Sequence, residues 1–333
     1  MRIDNCVRIM DGVLCTTPSI DAYERVIFES QKVIRGDLFF DLRDSKENTK
    51  EAIRNGAYAV VSTRAFKDED EEIAWIQVEK IEQSLIKLLR YTITHKNLQF
   101  INASPLQSDL LEMLHFPKTI KFLKGSLEES SLAIFKAKEK DTFCLSDTIL
   151  IKDIAPNALS IKKLLHVNTF SLKGLFLTSF LRQEAYHAEQ KIPSLFLLAL
   201  NEVFDFCEQH SLAYDIHALT FTEHFYPQFV TPSLRKKEFG GADKVLIFES
   251  SPLLLMDEIA YMQAHVSSTS WLLCLPENEK NTFTCKAQIH TYCAPADLAV
   301  LRESTFQYAL ILGNREAFEP LLTQTFTSQP SLF

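Results

Sequence analysis

The chain has 333 residues, of which 46% are hydrophobic, and a formal net charge of −8. This length allows two or three domains with buried cores, and the acidic balance argues against a general binder of nucleic acid or anionic membranes. Glycine is scarce at 8 residues, because an average usage of about 7% would give roughly 23. No Gly-x-Gly-x-x-Gly or Gly-x-x-x-x-Gly-Lys cluster occurs, so we expect no glycine-rich nucleotide-binding loop.

The sequence shows no segment typical of export or membrane insertion. Residues 1–6 do not lead into an apolar core of signal-peptide length. The longest apolar run, at 192–200, is much shorter than the ~20 residues that span a bilayer. The seven cysteines are odd in number and scattered, which is typical of reduced thiols. We therefore expect a cytoplasmic protein with no membrane span.

Residues 1–95 alternate short apolar runs with helical patterns, which predicts a compact α/β unit. Gly56 stands directly after a helical pattern at 49–55, the position at which glycine often ends a helix. The other predicted elements are strands at 26–28, 37–40, 57–61 and 73–78 and an amphipathic helix at 82–94.

An apolar strand, a turn and a helix over 98–114 follow the layout of a phosphate-binding loop. Such a loop needs glycines, whose amides close around phosphate, and a lysine that supplies countercharge. Ala103 and Leu106 occupy the glycine positions and Gln107 occupies the lysine position, whereas Ser108 matches the hydroxyl position. The sequence therefore predicts the layout of a nucleotide loop without its chemistry.

The rest of the chain continues the alternation of strands and helices. Residues 176–226 are predicted to be mainly helical, and residues 227–333 to form a second α/β unit, which favours mostly parallel sheets. The predicted strands lie at 119–123, 142–145, 148–154, 244–248, 271–275, 283–289 and 308–312, and the predicted helices at 157–165, 193–208, 253–264 and 315–324.

Two stretches of the N-terminal unit resemble the N-terminal domain of the Mur ligases. Residues 27–43 read Ile-Phe-Glu-Ser-Gln-Lys-Val-Ile-Arg-Gly-Asp-Leu-Phe-Phe-Asp-Leu-Arg, and residues 51–61 read Glu-Ala-Ile-Arg-Asn-Gly-Ala-Tyr-Ala-Val-Val. They are most similar to the ligases that add D-alanyl-D-alanine and the third residue of the peptidoglycan stem. The resemblance implies a multidomain α/β fold with an N-terminal domain at 1–95, a reduced central ATPase-like domain at 96–226 and a C-terminal α/β domain at 227–333.

The resemblance also implies where two binding sites would lie. In the family, a lysine and a threonine of the central loop bind ATP phosphates and magnesium, so Ser104, Gln107 and Ser108 are the remnant of that loop. The serine and arginine of the family's Asp-Ser-Arg motif help to hold the uridine diphosphate sugar. Ser30 matches this serine, but Gln31 stands at the arginine, so direct pairing with an anion is lost.

Other family motifs have no clear counterpart in this sequence. The family's Asp-Asp-x-Tyr-Asn-Ala-Asn-Pro motif would fall at 247–252, where the chain reads Ile-Phe-Glu-Ser-Ser-Pro. The central Glu-x-Gly and the lysine that becomes carbamylated are missing as well. We therefore expect no catalytic residues, and neither ATP nor magnesium as a cofactor.

Several further groups of residues were considered as sites. Zinc-ligand types recur without any Cys-x-x-Cys pair, and three histidines are spaced by seven, but neither pattern predicts a metal site. An aromatic group near the last predicted domain boundary could form a partner surface or pack in the core. A basic run there could line a pocket or form a solvated turn. The zinc-ligand types are Cys274, Cys285, His290 and Cys293, and the histidines are His210, His217 and His224. The aromatic group is Phe221, Phe225, Tyr226 and Phe229, and the basic run is Arg235, Lys236 and Lys237.

Three functional hypotheses follow from the sequence. The first is a bacterial, non-catalytic Mur-ligase-like protein that binds or scaffolds in peptidoglycan precursor synthesis, with a UDP-sugar precursor or cell-wall synthesis proteins as partners and no nucleic acid. The second is an active ATP-dependent ligase on a UDP-sugar precursor with a remodelled site. The third is a protein-interaction module that retains only the fold.

Overall fold

The computed structural model describes residues 1–65, 71–163 and 170–323. Its contacts group into two compact units, one of residues 1–108 with 118–161 and the other of 109–117 with 162–333. None of the described helices is both long and apolar enough to cross a membrane. The three-domain division expected from the sequence stays a prediction.

The first unit begins with a five-stranded sheet. Its strands run in the order β1-β5-β4-β3-β2, all parallel except β1. The central strands β3 and β4 are buried on both faces, the usual situation in a parallel sheet covered by helices. The elements are α1 (Ile3–Met10), β1 (Val13–Leu14), β2 (Val26–Ile27), β3 (Leu38–Phe40), α2 (Lys46–Arg54), β4 (Ala59–Ser62), β5 (Ala74–Gln77) and α3 (Ile81–His95).

A second, four-stranded parallel sheet completes this unit in the order β7-β8-β6-β9. One hydrophobic core contains residues of both sheets, such as Phe40 of β3 and Phe143 of β8. The helix α4 contains a boundary between the units, because its residues up to 108 belong to the first unit and those from 109 belong to the second. The elements are β6 (Gln99–Asn102), α4 (Pro105–Leu114), β7 (Ile120–Leu123), α5 (Leu127–Phe135), β8 (Thr142–Leu145), α6 (Thr148–Ile154) and β9 (Leu159–Ser160).

Two predicted elements of this region are wrong. Residues 148–154 form the helix α6 rather than a strand, because Asp147 accepts hydrogen bonds from the amides of Ile149 and Leu150 and caps the helix. A short apolar run cannot by itself distinguish the two periods. The helix predicted at 157–165 is replaced by a turn and β9, and its last two residues lie outside the described ranges.

The second unit contains an antiparallel sheet, β10-β11-β12, and a five-stranded sheet in the order β13-β14-β17-β15-β16. In the larger sheet only β13 is antiparallel. The expectation that 176–226 is mainly helical is wrong for 177–190, which form the strands β11 and β12, and correct for 197–209, which form the helix α7. The elements are β10 (Phe170–Lys173), β11 (Leu177–Arg182), β12 (Ala185–Gln190), α7 (Leu197–Gln209), β13 (Tyr226–Val230), β14 (Lys244–Glu249), α8 (Pro252–His265), β15 (Trp271–Pro276), β16 (Gln288–Tyr292), β17 (Tyr308–Leu312) and α9 (Glu319–Thr323).

Candidate functional site

The N-terminus of α4 is closed by its own side chains. The Ser104 amide donates to Gln107 Oε1 at 2.8 Å, and the Gln107 amide donates back to Ser104 Oγ at 3.2 Å. This reciprocal pair is a capping box, which satisfies two of the amides that a helix start leaves unpaired. In a phosphate-binding loop, amides of this kind hold the anion. The amides of Ser104 and Gln107 are already bonded and are not available to a phosphate.

The same loop is packed into the first unit. Gln107 and Ser108 are only 6% and 3% exposed, and the neighbouring Ala103 and Leu106 are buried as well. The Ser108 hydroxyl accepts a hydrogen bond from Cys144 Sγ at 3.7 Å on β8. Ser104, Gln107 and Ser108 lie together at this helix start, and their assignment as the remnant of a nucleotide loop stays a prediction. The structure places them in a sealed helix cap with no lysine among them.

Ser30 lies at the start of a short 3-10 helix directly after β2. Its hydroxyl donates to Glu51 Oε2 at 2.5 Å, and its carbonyl accepts from Asn55 Nδ2 at 3.0 Å. Ser30 is buried, whereas Gln31 is exposed. The Glu51 carboxylate would repel a diphosphate that approached this hydroxyl, and Gln31 offers no compensating positive charge.

A buried acidic cluster in the second unit escaped the sequence analysis. Glu249, the last residue of β14, accepts from His224 Nδ1 at 2.7 Å and from the amides of Phe225 and Ser251 at 3.2 and 2.6 Å. Glu258 on α8 lies beside it, and both glutamates are fully buried. On the other side of the imidazole, Asp109 Oδ2 is 3.6 Å from His224 Nε2.

The pKa values of the two glutamates shift in opposite directions. Burial and the neighbouring Glu249 raise the pKa of Glu258 well above its ordinary value. Burial also acts to raise the pKa of Glu249, but its hydrogen bonds and the His224 charge outweigh this and lower that pKa. Glu258 is therefore the protonated member and Glu249 the carboxylate. Glu249 stands within 247–252, where the family's acidic motif would fall, but it is enclosed and has no access to a ligand.

The residues considered for metal binding do not assemble. Within residues 1–65, 71–163 and 170–323, no three histidine, cysteine or acidic side chains form a metal-binding group. Burial raises the pKa of the Cys274 thiol to about 12, so it is held as a thiol. Cys293 is exposed, and His224 is committed to Glu249.

The predicted aromatic group and basic run meet around one cleft of the second unit. A cavity of about 890 Å³ is lined by the rings of Phe221, Tyr226, Phe229 and Phe239 together with Lys191, Lys236 and Lys237. Phe239 packs against Phe229 at a ring-centroid distance of 4.9 Å and remains 44% exposed. Of the predicted aromatic group, only Phe225 is fully buried. The cleft therefore offers exposed aromatic and cationic groups side by side.

Comparisons with known proteins bear on the fold. No protein-family model matches the chain, and no curated protein sequence matches it. Among solved structures, the MurF ligase from Thermotoga maritima in complex with ADP is 14% identical, with a TM-score of 0.59 over 90% of this chain and 96% of that one. A MurF structure from Acinetobacter baumannii is 10% identical, with a TM-score of 0.60 over 96% of this chain and 97% of the other. The chain therefore has a Mur ligase-like, multidomain α/β fold, as the sequence resemblance implied.

Proposed function

We propose that this is a non-catalytic Mur-ligase-like protein that acts by binding or scaffolding in peptidoglycan precursor synthesis. The observation that carries the proposal is the capping box between Ser104 and Gln107, which occupies the helix start that would face nucleotide phosphates. Phosphoryl transfer needs cations around the transferring group. Gln107 provides none, and its side chain is bound to the backbone instead.

The sugar-nucleotide site points the same way. A uridine diphosphate sugar would have to displace Glu51 from Ser30 and would gain no cation from Gln31. We therefore place the binding function on a cell-wall synthesis protein as partner rather than on a precursor held through Ser30.

The cleft of the second unit is the surface we assign to such a partner. Half-exposed aromatic rings are typical of protein-binding surfaces, where they supply apolar contact area. The lysines at the edge of the cleft would orient a partner that carries negative charge. Replacing Phe239 with serine should abolish binding to a cell-wall synthesis protein. The control Leu253→Ser removes an apolar side chain that is 82% exposed elsewhere in the same unit, on α8, and should have no effect.

The proposed lack of catalysis is tested with ATP and magnesium. We expect no ATP hydrolysis above background and no rise of the unfolding midpoint with nucleotide concentration, because a ligand that binds only the folded state must raise it. The MurF ligase of Thermotoga maritima is the positive control. A concentration-dependent rise in the wild-type chain would refute the sealed loop as the basis for lost catalysis.

A second candidate function is an active ligase whose site has moved. It is favoured by Lys236, Lys237 and Glu238, which line the same cleft and supply both signs of charge. Phosphate release from ATP that requires a UDP-N-acetylmuramoyl peptide, and that is lost in Lys237→Ala, would establish this alternative.

A further inference from the structure

A cleft of about 410 Å³ opens in the first unit between α1, β2, α3 and α5. The helices α1 and α5 both pack against α3, and α5 also contacts β2. The walls are therefore regular elements of the folded unit. Sites for small molecules are typically preformed clefts of about 300–1,000 Å³, and this cleft falls within that range.

The floor of the cleft is apolar. Val26 on the edge strand β2 is buried, and Leu132 and Phe135 on α5 are half-buried along the same surface. A ligand that covered these side chains would remove their remaining apolar area from water, at about 25 cal/mol for each Å². The floor therefore suits the hydrocarbon or aromatic body of a ligand.

One end of the cleft is cationic. Lys96 Nζ donates to the carbonyls of Phe135 and Ala137 at 2.7 and 2.8 Å, which holds the C-terminal ends of α3 and α5 together. His95 and Lys136 line the cleft at these same two ends. Both are exposed, and neither makes an ion pair with any part of the chain that the structure describes. An anion placed here would meet the charge of Lys136, next to the Lys96 ammonium that is bonded to two backbone carbonyls.

The other cations of the lining are already paired. Arg25 forms two hydrogen bonds with Asp37, at 2.7 and 2.8 Å, and Arg2 lies 3.5 Å from Asp21. Glu24 also lines the cleft, so it would repel an anion from its own part of the wall. Among the lining side chains, the lysines that no carboxylate pairs therefore lie at the ends of α3 and α5.

An aromatic wall stands beside the cationic end. The rings of Tyr91 and His95 stack with centroids 5.6 Å apart and planes only 9° from parallel. Tyr91 is 36% exposed, so part of its ring remains open to a ligand. A flat ring laid against this pair would gain the stacking contact that aromatic groups favour.

We propose that this cleft binds a small amphiphilic anion, a carboxylate or phosphate ester with an aromatic or aliphatic body. The head group lies by Lys96 and Lys136, and the body lies over Val26, Leu132 and Phe135. The proposal is independent of the proposed function, because none of the nucleotide-loop or sugar-site residues lines the cleft.

The probe for the test is 1-anilinonaphthalene-8-sulfonate, an aromatic anion whose fluorescence rises in apolar surroundings. Calorimetry and fluorescence on the full chain should show one equivalent bound, with an affinity that falls as salt is added. Lys136→Gln should weaken binding about two- to fivefold, the effect of one exposed charge contact. Leu132→Trp should abolish it by filling the floor. The matched control is Lys50→Gln, an exposed lysine on α2 outside the cleft, which should bind as the wild type does.

Equal affinity in the wild type, Lys136→Gln and a folded Leu132→Trp would overturn the assignment. If Leu132→Trp fails to fold, the comparison of Lys136→Gln with Lys50→Gln decides alone. Octanoate and phenyl phosphate then separate the two head groups by displacing the probe, and failure of both would overturn the ligand class. ATP hydrolysis by the wild type would refute the proposed function and leave these results unaffected.

Discussion

The family resemblance would place a nucleotide loop at the start of α4 and an acidic motif at the end of β14. In the structure both sites are closed, but by different means. At α4, neutral groups of Ser104 and Gln107 satisfy each other. At β14, Glu249 is held by a histidine and two amides beside a second buried glutamate. The stability that the neutral groups contribute should not depend on pH. The stability that the buried charged groups contribute depends on their protonation, and removing one charged partner is strongly destabilising.

The largest effect is expected from Glu249→Ala, which removes the carboxylate at the end of β14. Its loss leaves the His224 ring and the amides of Phe225 and Ser251 without their acceptor in a buried site. We expect the free energy of unfolding to fall by about 3–5 kcal/mol, the usual cost of breaking a buried ionic network. Urea titration measures it. Glu223→Ala, which removes an exposed carboxylate at the position before His224, should change the stability by less than about 0.5 kcal/mol. Similar losses in the two variants would contradict the account.

The second largest effect is the pH dependence that Glu258 imposes. Because its folded-state pKa is raised, the folded state holds a proton that the unfolded state releases, so this group lowers stability as pH rises above the ordinary carboxyl range. Glu258→Gln mimics the protonated form and should remove this loss, worth about 1.4 kcal/mol for each unit by which the pKa is raised.

The measurement is the unfolding midpoint in urea between pH 5 and pH 9. Glu303→Gln, which removes an exposed carboxylate outside the buried cluster, serves as the control and should keep the wild-type slope. Glu249 acts in the opposite sense, because its lowered pKa removes stability as pH falls below the ordinary carboxyl range. An unchanged alkaline slope in Glu258→Gln would mean that Glu258 is not the group that titrates.

A smaller effect is expected at the neutral closure. Ser104→Ala removes the side chain that accepts from the Gln107 amide and should cost about 1 kcal/mol, as at other helix N-caps. The loss should be the same at pH 5 and pH 9, in contrast to the Glu258 effect. Ser126→Ala, which removes the cap of α5 in another capping box, provides the reference. A pH-dependent loss at Ser104 would contradict a neutral closure.

The smallest effect is expected in the aromatic cleft of the second unit. Lys236 pairs with Glu319 on the surface, and exposed pairs contribute about 0–1 kcal/mol. Lys236→Ala should therefore leave the unfolding midpoint in urea almost unchanged, and high salt should remove what difference remains. A large loss of stability would show that the lysine is structural rather than available to a partner.

The success of the sequence analysis varied with the range of the interactions involved. The strand at 57–61 and the helix at 82–94 were predicted well, because continuous apolar runs and a 3.6-residue period are local signals. The hairpin of β11 and β12 was missed, since its strands carry no clear alternation. For the candidate site, the spacing singled out Ser104, Gln107 and Ser108, but it did not predict the capping box that Ser104 and Gln107 form.

Sequence alone determined most of the strands and helices of the first 95 residues and the presence of Gln107 rather than a lysine, because these depend on residue identity and on neighbours within a few positions. Only the tertiary structure decided which side chains meet. The antiparallel pairing of Tyr226 with Phe248 brings His224 next to Glu249, 25 positions away. The packing of α3 against α5 likewise creates the cationic cleft. Such contacts follow from sheet register and helix packing, which no local pattern encodes.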